Sequence, residues 1–333
     1  MYILYIECIH NIFREISRNT DLFYLFVYFA KETDAQGNAY IIVYGGWMME
    51  NVIELQNIHK SFKGFQVKDF SINVKKGYVT GFIGGNGAGK STTIKLIMNL
   101  LQQDSGTVSL FGMKYKGHEK EIKERIGFVY DENVFYENVT LKDMKKIIKP
   151  AYKNWDDKIF HYYVEKFELP LNKNMKNFSK GMKMKASLAI ALAHHAELII
   201  MDEPTAGLDP IFRRELLNIL HELMQDGEKT IFFSTHITTD LDRIADYITF
   251  IHNGEHIFTK EFYKIEEEYA IVKGKLDLLD KETEQEFISI RKTNVGFEAL
   301  TADKNRVANI FGDFVIMEKP TLEDIMYYTK KGW

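Results

Sequence analysis

A single cysteine, Cys8, stands among 333 residues, so no intrachain disulfide can form and a reducing compartment is expected. Long apolar runs are also lacking. The longest, residues 22–30, has nine residues, against the roughly 17–25 of a membrane helix. Neither sign of charge dominates: 43 Lys and Arg against 47 Asp and Glu leave a net charge of −4, which offers nucleic acid no global basic field. No repeat of about 20–50 residues and no low-complexity tract occurs. Hydrophobic residues at 45% and charged residues at 27% exclude a disordered, collagen-like or polytopic membrane chain. At this length, one large domain with an appendage is expected.

Residues 1–47 read differently from the rest. Apolar clusters (Ile3, Leu4, Tyr5, then residues 22–30) follow neither helical nor strand periodicity. A secretory signal fits poorly, because no positive start and no small-residue cleavage pattern flank the apolar stretch. One reading is a short apolar helix packed on the core. The favoured reading is upstream sequence translated from a start codon set too early. Gly45-Gly46 can be encoded by GGAGGN, a ribosome-binding sequence just ahead of Met48 and Met49. The gene's nucleotides, or the mass of the mature N-terminus, decide between them.

From Val52 the order is legible. Val52–Leu55 and Phe70–Val74 alternate as strands do. Tyr78–Ile83 is a mostly apolar run entering Gly84-Gly85-Asn86-Gly87-Ala88-Gly89-Lys90-Ser91-Thr92, the G-x-x-x-x-G-K-[ST] spacing. Ile94, Ile97, Met98 and Leu101 then mark one apolar helical face. Glycines let successive backbone N–H groups curl around a phosphate, and the helix aims its positive end at the same anion. Lys90 supplies a point charge for the β- and γ-phosphates, and Ser91 a hydroxyl for Mg²⁺. The pattern indicates a nucleotide and leaves its purpose open.

Leu198–Met201 is an unbroken apolar run, as in a central parallel strand, and ends in Asp202-Glu203. Carboxylates at that end of an open α/β sheet face its ligand crevice. Asp202 is placed to hold Mg²⁺, and Glu203 to polarise the water attacking the γ-phosphate. About twenty residues earlier, Phe178-Ser179-Lys180-Gly181-Met182 opens a further helix. Here the chain resembles the ATP-binding subunits of ABC transporters, over roughly residues 50–260. The resemblance makes Phe178–Met182 the signature motif, with Lys180 and Met182 departing from its common form. It implies that Ser179 and Gly181 bind the γ-phosphate of an ATP held by another subunit. Ala206-Gly207-Leu208-Asp209 then resembles the D-loop, in which Asp209 contacts the partner's cradle. Thr235-His236, after Ile231–Ser234, matches the switch histidine, placed to hold the attacking water with Glu203. Phe62 matches the aromatic that stacks on adenine, with Phe65 as its competitor. At the Q-loop glutamine the chain has Asp131, and either Asp131 or Glu132 takes that role near the metal.

The implied fold is α/β: a P-loop NTPase core with mixed sheet, an N-terminal antiparallel β-subdomain, an inserted helical subdomain and a small α+β C-terminal extension. The implied division is 1–47 extension, 48–260 ATPase domain with the helical subdomain at about 135–190, and 261–333 accessory domain. Between residues 141 and 187 the chain is lysine-rich, mostly a solvated face, on the subdomain that meets the permease in this family. Asn253-Gly254 between apolar runs signals a hairpin, and Thr321 is expected to cap a last helix. The tail resembles that of exporter subunits paired with separately encoded permeases. The implied function is ATP hydrolysis with Mg²⁺, in a two-fold dimer or paired with a similar ATPase, energising an integral membrane permease from the cytoplasmic face, without nucleic acid. One rival is a soluble ABC ATPase acting on ribosomes or DNA, which usually has two fused cassettes or a long coiled coil. A P-loop GTPase is the other, but it needs an Asn-Lys-x-Asp element that Asn172-Lys173-Asn174-Met175 lacks.

Overall fold

The computed structural model describes the backbone of residues 25–33, 39–47, 50–129 and 136–331, with side chains within 50–129 and 136–330. The chain divides into two units between Asn51 and Val52. The first contains an antiparallel pair, β1 (Leu25–Thr33) and β2 (Ala39–Trp47), with Leu25 opposite Trp47 and Thr33 opposite Ala39. Residues 25–33 are thus a strand, where a short apolar helix is one reading of the sequence. Both segments are rich in aromatic and β-branched residues, so β-propensity is high while alternation is absent.

The second unit opens at Val52 within β3 (Asn51–Phe62) and continues through β4 (Phe65–Lys75), β5 (Val79–Ile83), α1 (Lys90–Ile97), β6 (Ser105–Leu110), β7 (Met113–Lys114), α2 (Tyr115–Glu124) and β8 (Ile126–Val129). Helices α3 (Leu141–Ile148), α4 (Asp157–Lys166) and α5 (Lys180–Ala193) follow. The chain then alternates through β9 (Leu198–Asp202), α6 (Pro210–Leu223), β10 (Thr230–Thr235), β11 (Tyr247–His252) and β12 (Glu255–Glu261).

The central sheet has the order β12-β11-β5-β10-β9-β8. Its pairs are parallel except β11 with β12, a hairpin turned by Asn253 (φ 48°) and Gly254 (φ 79°), as the sequence predicts. Every residue of β5, β9 and β10 is buried, as befits parallel strands covered on both faces. Parallel direction sends the carboxyl ends of β5, β8, β9 and β10 to one edge, where open sheets bind ligand.

A four-stranded sheet, β4-β3-β6-β7, covers one side. Phe70 of this sheet packs with Phe82 and Phe232 of the central sheet and with Ile94 and Ile97 of α1 in one apolar cluster. Helix α1 stops at Ile97, with Met98 as its C-cap and Asn99 at φ +55°. Leu101, expected on the helical face, therefore lies beyond the helix, though it packs on the same cluster. On the other side, Leu141, Phe160, Val164 and Leu188 of the helical subdomain share a cluster with Ile199 and Met201. N-caps start these helices: Thr140 accepts from the Asp143 N–H, Asp156 from Lys158 and Ile159, Ser179 from Met182.

The C-terminal segment holds α7 (Phe262–Glu268), β13 (Ala270–Gly274), β14 (Ser289–Thr293), β15 (Gly296–Thr301), α8 (Lys304–Phe311), β16 (Ile316–Glu318) and α9 (Leu322–Lys331). Its antiparallel sheet runs β14-β15-β13-β16. Thr321 and Asp324 cap α9 reciprocally. The segment is not free-standing. Ile265, Tyr269, Ile271, Leu300, Leu322, Ile325 and Tyr328 join the cluster that contains Phe250 and Met201, and α9 packs beside the turn Thr238–Arg243.

Candidate active site

The cradle occupies the step from β5 into α1. Gly89 is the N-cap at φ +113°, in the left-handed region where a Cβ is disfavoured. The first turn of α1 contains no acidic residue to oppose an anion at its positive end. Lys90 is buried, with 5% exposure. A buried ammonium needs partners: its Nζ donates to the Gly84 carbonyl at 2.7 Å and the Gly85 carbonyl at 3.3 Å, and lies 3.1 Å from Glu203 Oε1.

Strand register brings the acidic pair to the same place. Ser234 of β10 lies opposite Asp202 of β9, and Thr235 opposite Ile83 of β5. Asp202 closes its strand, buried, and accepts a 2.6 Å hydrogen bond from Ser234 Oγ. Glu203 follows in a left-handed turn, φ +48°, a conformation costing about 1–2 kcal/mol for a residue with a Cβ. Its N–H donates to the Ser234 carbonyl at 3.1 Å and to Ser234 Oγ at 3.0 Å, which holds that turn. The second Glu203 oxygen accepts from the His236 N–H at 3.2 Å and meets His236 Nδ1 at 2.7 Å. A carboxylate only accepts, so Nδ1 carries the proton and Nε2 is the nitrogen open to a ligand. One carboxylate thus bridges the cradle lysine and the switch imidazole.

Ser234 is the residue that sequence reasoning missed. Its signal was a hydroxyl inside the apolar run Ile231–Phe233, one step before the switch.

The predicted signature residues form a second cluster. Ser179 spends its Oγ on the Met182 N–H at 3.2 Å as N-cap of α5. Asp209 is likewise the N-cap of α6, accepting from Ile211 at 3.1 Å and Phe212 at 3.0 Å. Lys180 Nζ donates to the Ala206 carbonyl at 2.6 Å, tying the signature helix to the D-loop segment. At Gly181 a Cβ would meet the Phe212 ring at 2.7 Å. Ser179, Gly181, Met182, Gly207 and Asp209 line one cavity of 440 Å³. Lys90 and Glu203 do not line it, so the predicted cradle and signature residues stand on different parts of the chain.

Phe62 ends β3 with 44% exposure, its ring centroid 6.3 Å from that of Phe65 and 5.9 Å from the Lys60 ammonium. Phe65 is half-buried, within 3.1 Å of the position a Gly89 Cβ would take. Greater exposure favours Phe62 over Phe65 as the stacking ring. Asp131 and Glu132, expected at the Q-loop position, lie outside the described residues.

The ABC transporter family profile matches residues 67–206. The bacitracin transport ATP-binding protein BcrA of Bacillus licheniformis is 36% identical over 212 residues, covering 62% of this chain and 69% of the relative. The lantibiotic transport ATP-binding protein SrtF of Streptococcus pyogenes is 33% identical over 213 residues, 63% of this chain and 91% of its own. Among solved structures, an ATP-binding subunit of an ABC transporter superposes with TM-score 0.59 at 29% identity, over 65% of this chain and 92% of that one.

Proposed function

We propose that this chain, which belongs to the ABC transporter family of ATP-binding proteins, is an ATPase subunit that works as a pair of copies to drive a separate membrane exporter. The observation that carries the reading is the chain of contacts from Lys90 through Glu203 to His236 at the carboxyl edge of the central sheet. In this reading Lys90 and the N-terminus of α1 bind the β- and γ-phosphates. Glu203 takes the proton of the attacking water, and His236 fixes Glu203 and contacts the γ-phosphate. Phe62 stacks on the adenine.

Among the described residues, no group of three His, Cys, Asp or Glu side chains is placed to hold a metal. A cation here would take most of its ligands from phosphate and water, which suits Mg²⁺. Ser91 and Asp202 are the side chains to hold it, with Ser234 fixing the carboxylate of Asp202. When bound, Mg²⁺ neutralises charge developing on the phosphates.

The second half-site supports pairing. Ser179, Gly181 and Asp209 line a cavity without Lys90 or Glu203, so their ligand comes from a second cradle, and a two-fold axis supplies it. No helix among the described residues is long and apolar enough to cross a membrane; the transport relatives support contact with the bilayer through a permease, on its cytoplasmic side. A groove of 480 Å³ lined by Phe128, Tyr136, Met144, Ile147 and Tyr152 gives the permease an apolar seat on the helical subdomain. The names of the relatives, transport proteins for bacitracin and lantibiotics, favour export.

Affinity purification of the tagged chain from membranes tests this. It should recover a multi-span polypeptide encoded by a neighbouring gene, together with Mg-ATP hydrolysis. Recovery of ribosomes in place of a membrane protein would contradict it.

A further inference from the structure

The switch histidine and the D-loop are joined by a side-chain brace. Arg213 stands in the first turn of α6, four residues past Asp209, and its N–H donates to the Asp209 carbonyl at 2.9 Å. Its guanidinium reaches the turn Thr238–Arg243, which begins two residues after His236. Nε donates to Asp240 Oδ1 at 2.5 Å and Nη2 to Thr239 Oγ1 at 3.0 Å. Asp240 is 2% exposed, and its other oxygen, Oδ2, is buried without a hydrogen-bond partner. A carboxylate so desolvated is held in place by its cation, because the alternative is an unpaired buried charge. Arginine suits this task, since its planar fork fixes direction as well as distance.

We propose that Arg213 and Asp240 are positioning residues that carry the docking of a second copy at Asp209 to His236, and so to Glu203. This rests on the paired-ATPase reading above. The path is short and rigid: the D-loop caps α6, Arg213 extends from the first turn of α6, Asp240 fixes the turn, and His236 grips Glu203 through ring and backbone. Neither Arg213 nor Asp240 lines the signature cavity, so each acts through another residue. Hydrolysis is then enabled by arrival of the partner, and ATP binding alone leaves it slow. A coupling claim of this kind needs an element that both sites bias, and the brace is that element.

Removing one partner alone strands a buried charge, so the test replaces both, Arg213→Met with Asp240→Leu, and measures steady-state hydrolysis and ATP-driven dimerisation. Misplacing a catalytic group by an ångström lowers kcat about a hundredfold. That loss is expected, with KM for ATP within about threefold of the parent, the pattern of an interaction used only in the chemical step. With Glu203→Gln added, the doubly replaced protein should form its dimer at ATP concentrations within about threefold of Glu203→Gln alone. Arg213→Lys, which keeps the charge but not the fork, should retain an intermediate kcat. An unchanged kcat in the double replacement overturns the proposal. So does loss of dimer and kcat together, which would assign the pair to holding the fold. Failure of Glu203→Gln itself to dimerise would remove the paired reading and this inference with it.

Discussion

The two half-sites are built by different means. In the cradle half, charges converge from three strand ends: Lys90, Glu203 and His236 form a closed chain of contacts, with Ser234 locking Asp202 beneath them. In the signature half charged groups are present but form no such chain: Lys180 donates to the Ala206 carbonyl, and Asp209 caps its own helix. Ser179 and Asp209 are helix caps, and their side-chain oxygens already serve their own helices. A half-site wired internally can bind and orient by itself. One made of capped helix ends offers dipoles and a shaped wall, which gain purpose against a ligand held elsewhere. The division of labour proposed between copies would follow from how each half is held.

The sharpest break between the halves comes from Glu203→Gln. An amide keeps the shape but cannot take a proton from water, so kcat should fall about 10²–10³-fold while ATP binding persists, as checked by steady-state hydrolysis beside nucleotide titration.

Acid should act on the signature half through His194, the C-cap of the helix that Ser179 starts. Its Nδ1–H donates to the Glu124 carbonyl at 3.2 Å, and its ring stacks on Tyr152 at 3.8 Å. Burial pushes this histidine down from 6.5 to about 4. Its folded form therefore binds a proton less readily than the unfolded chain does. Stability from this group is whole above pH 6.5 and is lost as pH falls towards 4, by about 3 kcal/mol in all. Thermal unfolding across that window should show the loss, and His194→Phe, which keeps the stack, should flatten it.

Ser234→Ala removes one hydroxyl that serves both acidic residues. It should cost about 1–3 kcal/mol of stability and raise the Mg²⁺ concentration needed for hydrolysis, measured by denaturant melts and metal titration. Ser179→Ala should be the mildest, about 1 kcal/mol for a lost cap. Its effect should fall on dimer formation, leaving nucleotide binding to a single cradle unchanged.

The same contrast governs what the sequence reveals. Lys90, Asp202, Glu203 and His236 are legible because each sits at a fixed step after an apolar strand, so motif and sheet direction agree. Ser234 and the Arg213–Asp240 pair are not, because their partners lie 32 and 27 residues away and meet only through strand register or helix placement. In the C-terminal segment β13 and β15 are buried at three of five and five of six positions without alternation, so period-two patterning does not reveal them. Residues 25–33 and 39–47 carry no alternation in sequence, yet they form an antiparallel pair. Leu101 missed its helix because Asn99 turns left-handed after Ile97, a stop that helical periodicity does not encode.

Light scattering on size-separated Glu203→Gln protein, with and without saturating Mg-ATP, tests the central claim most directly. Two chains enclosing two nucleotides, formed only when Mg-ATP is present, are the predicted result. A particle that keeps the mass of one chain under those conditions, with ATP bound, would contradict the account.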